Sequence, residues 1–222
     1  MTTKISKETL AILKNFAGIN GNIVLKKGSA LSTISPQRNV VAYTTVTESF
    51  PEDFYIYDLS QFLGVLSLFT DPDIDFTPAV ATIKEGKNSI KYYAADKSVL
   101  LLPPDKAIKF PSTDVEFELS ADQLVAIQKT SSVLSAPDLS IIGDGKNIIL
   151  RVLDLKNSST NNYEVEIGET SEEFVANITI SNLKMTTQSY KVELSSKKIS
   201  KWTALEGDMT VYVALDASST FA

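Results

Sequence analysis

Between Ser6 and Ile19 apolar residues recur every three or four positions, the spacing of an amphipathic helix, whereas most of the remaining chain alternates apolar and polar residues or carries short β-branched and aromatic runs. The helical pattern returns in DLSQFLGVLSLF (58–69) and SADQLVAIQKTSSVL (120–134), and a short helical turn is expected at NLKMT (182–186). Strand patterns are far more numerous. NIVLKK, NVVAYTTV, DFYIYDL, SIKYYAA, VEFEL, LSIIGD, NIILRVLDL, NYEVEI, EFVANITI, YKVEL and MTVYVALD are strand candidates. EGKN (85–88) and DGKN (144–147) are hairpin-turn signals, and the Ser/Asn-rich KNSSTNN (156–162) reads as a hairpin tip. Many strands punctuated by isolated helices predict an α+β fold.

The pattern repeats weakly. Ser6-Lys7-Glu8-Thr9-Leu10 opens the first helix and Ser120-Ala121-Asp122-Gln123-Leu124 the third, after which Leu13 aligns with Ile127. A strand leads into Asp58-Leu59 in the first half and into Asn182-Leu183 in the second. Between the halves, LLPPDKAIKFPST carries Pro103, Pro104 and Pro111, which oppose regular structure. The expected organisation is a first domain over 1–102, a connector over 103–114 and a second domain over 115–222.

At about 100° per residue, Lys4, Lys7 and Lys14 share one stripe of the first helix, and Ile5, Ile12, Leu13, Phe16 and Ile19 occupy the opposite side. Ser6 is the expected N-cap, although Glu8 stands one position short of a capping box. Gly18 and Gly21 bracket the expected exit. On periodicity alone, such lysines simply solvate an outer face. The chain is nevertheless acidic, with 21 Lys+Arg against 27 Asp+Glu, so a lysine stripe asks for a reason.

Chemistry is conspicuously missing. The chain has no histidine and no cysteine, which removes the commonest general base, the thiolate metal ligands and the Ser-His and Cys-His nucleophile pairs. No phosphate-cradling glycine motif occurs. Asp71, Asp73 and Asp75 alternate in DPDIDF, but an EF-hand would need Gly and Glu where Phe76 and Thr82 stand. We expect no enzyme, no cofactor and no metal. With no apolar run long enough to span a membrane and no signal-peptide core, the expectation is a cytosolic protein without membrane partners.

The opening SKETLAILKNFAGIN, IYDLSQFLGVLSL (56–68), YYAAD (92–96) with DKAIKFP (105–111), and VYVALDASST (211–220) together resemble the sliding clamps of T-even-type bacteriophages, the processivity factors of replicative DNA polymerases. The resemblance implies a DNA-clamp fold: two similar domains, each with an outer antiparallel sheet and inner helices, closing as a head-to-tail homotrimeric ring. It implies the cytoplasm of an infected bacterial host as location. The partners implied are duplex DNA without sequence preference, the phage DNA polymerase, an ATP-dependent clamp loader and late-transcription factors.

Under that resemblance the lysine stripe acquires a role, because duplex DNA carries about one negative charge per 1.7 Å of axis. Lys4, Lys7 and Lys14 would face DNA, with Lys129 and Lys184 as their counterparts in the second half. The helix at 58–69 is uncharged; Ser60, Gln61, Gly64 and Ser67 would line the hole passively, or Gly64 would permit close packing. A groove for a partner peptide is expected beside the connector and the last strand, at Ile108, Phe110, Tyr212, Val213 and Leu215. Those five residues read equally as core or sheet positions, and Trp202 as core or interface. Two other readings compete: a carboxylate enzyme built on Asp71 and Asp73, and a structural or assembly β-rich virus protein in which lysine placement is incidental.

Overall fold

The computed structural model describes every residue except Met1, Asp105 and Ala107, so two positions of the expected connector lie outside the described residues. The chain divides into two units, Met1–Lys106 and Ala107–Ala222. In the first the order is β1 (Thr2–Thr3), α1 (Lys7–Ile19), β2 (Ile23–Leu25), β3 (Gly28–Ile34), β4 (Val40–Phe50), β5 (Phe54–Ile56), α2 (Leu59–Leu66), β6 (Asp73–Phe76), β7 (Val80–Glu85) and β8 (Asn88–Tyr93), then a 3-10 turn at Lys97–Val99. Strands β1, β6, β7 and β8 form an antiparallel sheet in that order. β3 and β4 form a hairpin with a bulge near Gly28, and β2 pairs with β5.

Alternation explains the aspartates of DPDIDF. In β6, Ile74 and Phe76 are buried, so Asp73 and Asp75 fall on the exposed face. Phe76 packs edge-on to Phe50 and Phe54, at ring-centroid distances of 5.8 and 5.3 Å, and Phe62 of α2 packs edge-on to Tyr92 of β8 at 5.1 Å. Each fully buried Phe contributes roughly 1.5–3 kcal/mol of burial, so this aromatic file anchors α2 to the sheet. Gly64 is exposed, and a methyl group built on it would meet nothing within 4 Å. Close packing is therefore not its purpose.

α1 ends where the two glycines suggested, but neither glycine performs the stop. Asn20 does, in extended conformation (φ −144°) with its N–H on the Phe16 carbonyl. Its buried side-chain amide donates to the carbonyls of Ile34 (2.8 Å) and Leu101 (3.2 Å). The end of α1 is thus tied to β3 and to the last residues of the unit.

The second unit runs β9 (Val115–Leu119), α3 (Ala121–Leu134), β10 (Asp138–Asp144), β11 (Asn147–Leu153), β12 (Tyr163–Glu169), β13 (Glu173–Thr179), a 3-10 turn (Ile180–Asn182), β14 (Tyr190–Ser195), β15 (Ile199–Ala204), β16 (Thr210–Ala214) and β17 (Thr220–Phe221). One antiparallel sheet has the order β12–β11–β10–β13–β17, and in another β9, β14, β15 and β16 are successive neighbours. Gly86 and Gly145 supply the positive φ (58° and 82°) that the β7–β8 and β10–β11 turns require. Trp202 is fully buried against Tyr190, and its indole N–H donates to Ser200 at 2.9 Å; it is a core residue. The helical turn expected at 182–186 is displaced. The 3-10 turn closes at Asn182, and the segment from Leu183 to Ser189 has no regular structure.

Candidate functional site

On α1 the side chains of Leu13, Phe16 and Ile19 are buried, and Lys7 and Lys14 are exposed. Thr9 joins the buried stripe, which periodicity did not suggest. Ser6 caps the helix, its hydroxyl accepting the Thr9 N–H at 3.2 Å. The Ser6 N–H donates to a carboxylate oxygen of Glu48 on β4 at 2.5 Å, and the Thr9 hydroxyl donates to the other at 2.6 Å. Burial by itself raises the pKa of Glu48; the hydrogen bonds from Thr9 and Ser6 outweigh it and leave the carboxyl below its usual range.

Lys4 departs from the expected stripe. It precedes α1 and forms an ion pair with Asp71, both side chains being largely exposed. The hydrogen bond to Asp71 is the main cause of the raised Lys4 pKa. Lys7 and Lys14 instead border a cleft of about 470 Å³ between α1 and α2, floored by Leu10, Leu63, Leu66 and Phe69. The polar side of α2 (Ser60, Gln61, Gly64, Ser67) is exposed.

In the second unit, Lys129 is exposed on α3 and Lys184 is exposed beyond the 3-10 turn. Gln128 donates to the Leu183 carbonyl at 3.3 Å. That bond ties the segment carrying Lys184, which is not helical, to α3.

Of the expected groove residues, three come together. Phe110 and Tyr212 have ring centroids 6.3 Å apart, and the Tyr212 hydroxyl donates to the Ile108 carbonyl at 3.5 Å; all three side chains are half-buried. Val213 and Leu215 do not belong with them. Val213 is 0% exposed and Leu215 is 7% exposed, because alternation along β16 sends Val211 and Val213 to the face opposite Tyr212. The residue missed by sequence reasoning is Lys201 on β15. Its ammonium lies 5.8 Å from the Phe110 ring centroid and 2.6 Å from a Glu193 oxygen. Burial raises the Glu193 pKa, but hydrogen bonds from Lys201 and Thr113 and the charges of Lys201 and Lys191 bring it below the usual value. The signal was its place beside Trp202: a lysine next to a core residue in a strand must point the other way.

Among the described residues, no group of three or more His, Cys, Asp or Glu side chains could hold a metal ion, and no helix is long and apolar enough to cross a membrane.

A family profile described as DNA polymerase processivity factor matches residues 6–102. The sliding clamp of Enterobacteria phage T4 is 32% identical over 226 residues, covering 98% of this chain and 98% of its own. That of Vibrio phage KVP40 is 29% identical over 222 residues, covering 96% of this chain and 99% of its own. A solved structure of A. fulgidus PCNA bound to the C-terminal region of FEN-1 matches with a TM-score of 0.72 over 99% of this chain and 100% of that one; at 11% identity the likeness is one of fold. With two units of antiparallel sheets and helices, an exposed lysine pair on α1 and relatives spanning nearly its whole length, this chain belongs to the phage sliding clamps, the noncatalytic processivity factors of DNA polymerase.

Proposed function

We propose that three copies of this chain close head to tail into a ring around duplex DNA, with Lys7, Lys14, Lys129 and Lys184 turned towards the phosphates. The observation that carries this reading is the polarity of α1, whose lysines stand exposed opposite a buried apolar stripe. Such lysines attract the backbone without reading bases. Lys4, already paired with Asp71, adds less. Residues 1–102 and 115–222 are the two clamp domains and 103–114 their connector.

Two edge strands support the ring. β8 alternates half-buried Ile90 and Tyr92 with exposed Lys91, and β12 alternates half-buried Val165 and Ile167 with exposed Glu164 and Glu166. Each lies at the end of its sheet. Pairing β8 of one copy with β12 of the next covers both apolar rows and sets Lys91 against the acidic row. Such a contact is heterologous and gives a closed ring only where the rotation per copy closes.

An ATP-dependent loader would open the ring in the cytoplasm of the infected host. The surface at Ile108, Phe110 and Tyr212 would take a short apolar peptide of the phage DNA polymerase and, at another stage, of late-transcription factors. The test is processive synthesis with a matched phage polymerase and loader on circular and on short linear templates. Longer products on circles alone are expected, and Lys7→Glu with Lys14→Glu should abolish the gain while leaving a trimer. Equal stimulation on both templates overturns topological tethering.

A further inference from the structure

Glu48 is a carboxylate left 9% exposed near the end of β4. A carboxylate in such a place is tolerated only when hydrogen-bonded. Its side chain accepts from two groups at the start of α1, the Ser6 N–H and the Thr9 hydroxyl, and from its chain neighbour Thr47, whose hydroxyl donates at 3.3 Å. The Ser6 hydroxyl completes the circuit by donating to Thr9 at 3.1 Å.

α3 is capped differently. There Ser120 and Gln123 form a complete capping box inside the helix's own first turn. In α1 the equivalent third position holds Thr9, too short to reach back to the cap N–H, and Glu48 performs that task from the sheet. The difference has a geometric consequence. A capping box stabilises a helix end wherever the helix lies, whereas a cap supplied by a strand fixes the end, and hence the rotation and axial position of the helix, relative to that strand. The negative charge also faces the positive end of the helix dipole.

We propose that Glu48 is a positioning residue for DNA engagement: by clasping Ser6 and Thr9 it holds α1 in the orientation that presents Lys7 and Lys14 to the phosphates. The inference rests on the reading that α1 faces DNA. A purely stabilising cap would leave the DNA affinity of the folded protein untouched, and a purely electrostatic role would have the opposite sign, because removing a negative charge strengthens attraction to DNA.

Binding of a short fluorescent duplex to the assembled protein at low salt separates these cases, with Glu48→Gln, Lys7→Gln/Lys14→Gln and the combined variant compared with wild type. Trimer formation is checked by light scattering. Glu48→Gln should weaken binding by roughly three- to tenfold and cause no further loss when both lysines are already replaced. Binding as tight as wild type or tighter, or the same loss in both backgrounds, overturns the proposal. If the lysine pair variant itself binds like wild type, the DNA-facing reading of α1 fails and the proposal falls with it; weakening by the lysine variant alone removes only Glu48. Should Glu48→Gln not fold, Thr9→Val, which keeps the carboxylate and removes the hydroxyl donor, is read against the same two backgrounds.

Discussion

Phe110 illustrates how one side chain acquires a role from its neighbours. In sequence it is an apolar residue in a proline-punctuated, charged linker; in space its ring lies beside Tyr212 and under the Lys201 ammonium, which Glu193 holds in turn. An aromatic residue with a cation on one side and a half-exposed partner ring is suited to anchor a peptide, since binding energy concentrates in such residues. Phe110→Ala should weaken binding of a polymerase C-terminal peptide by about 1–3 kcal/mol, read by calorimetry. Unchanged affinity would move the peptide surface elsewhere. Val213, on the same strand as Tyr212, is wholly buried. Strand periodicity says that neighbours face opposite ways; which of the two sides is covered depends on the layer packed against it.

At the scale of the element, α1 and α3 begin with the same Ser-x-x-x-Leu outline yet are secured by different means. α3 carries its own capping box and α1 borrows Glu48 from β4. The borrowed cap makes the start of α1 sensitive to acid. The folded pKa of Glu48 lies below its ordinary value of 4.5, so its contribution is fully present above that value and is lost as pH falls through the lower, folded one. Hydrogen exchange at the Thr9 and Leu10 amides should therefore accelerate relative to the first turn of α3 as pH drops below about 4.5, after correction for intrinsic exchange. In Glu48→Gln this acid-dependent difference should vanish; its persistence would assign the sensitivity to another group. α2 teaches a complementary point. Its exposed polar side is uncharged, and Gly64 is exposed without close contact, so the helix owes its place to Leu59, Phe62 and Leu66.

For the whole molecule, charge is distributed unevenly. Acidic and basic residues balance over 1–106, and the entire acidic excess lies in 107–222. The two edge strands follow the same division, with Lys91 on β8 and Glu164, Glu166 and Glu169 on β12. Arg151 already holds Glu164 at 2.6 Å, which makes Glu166 the better choice for a contact between copies. Lys91→Glu should weaken the proposed trimer by roughly 0.2–1 kcal/mol per contact beyond the lost attraction, as like charges then face each other. Adding Glu166→Lys should restore assembly, measured as trimer dissociation by analytical ultracentrifugation. Failure of the second change to rescue the first would place the interface on other strands.

The amino-acid sequence by itself determined the α+β class, the three helices to within a few residues, most strands, and the absence of histidine and cysteine chemistry, because period, caps and composition are local properties. Six strands, β1, β3, β6, β7, β15 and β17, fall outside the sequence candidates, and β3 and β15 show the limit best. GSALSTI and ISKWTA alternate imperfectly and include small or charged residues, yet neighbouring strands recruit them. Tertiary structure alone decided that Glu48 caps α1 through Thr9, 39 residues away in sequence, that Lys4 pairs with Asp71, that Lys201 joins Phe110, and that Val213 is core. Each is a contact between segments distant in the chain, and its partner is chosen by packing rather than by sequence neighbours.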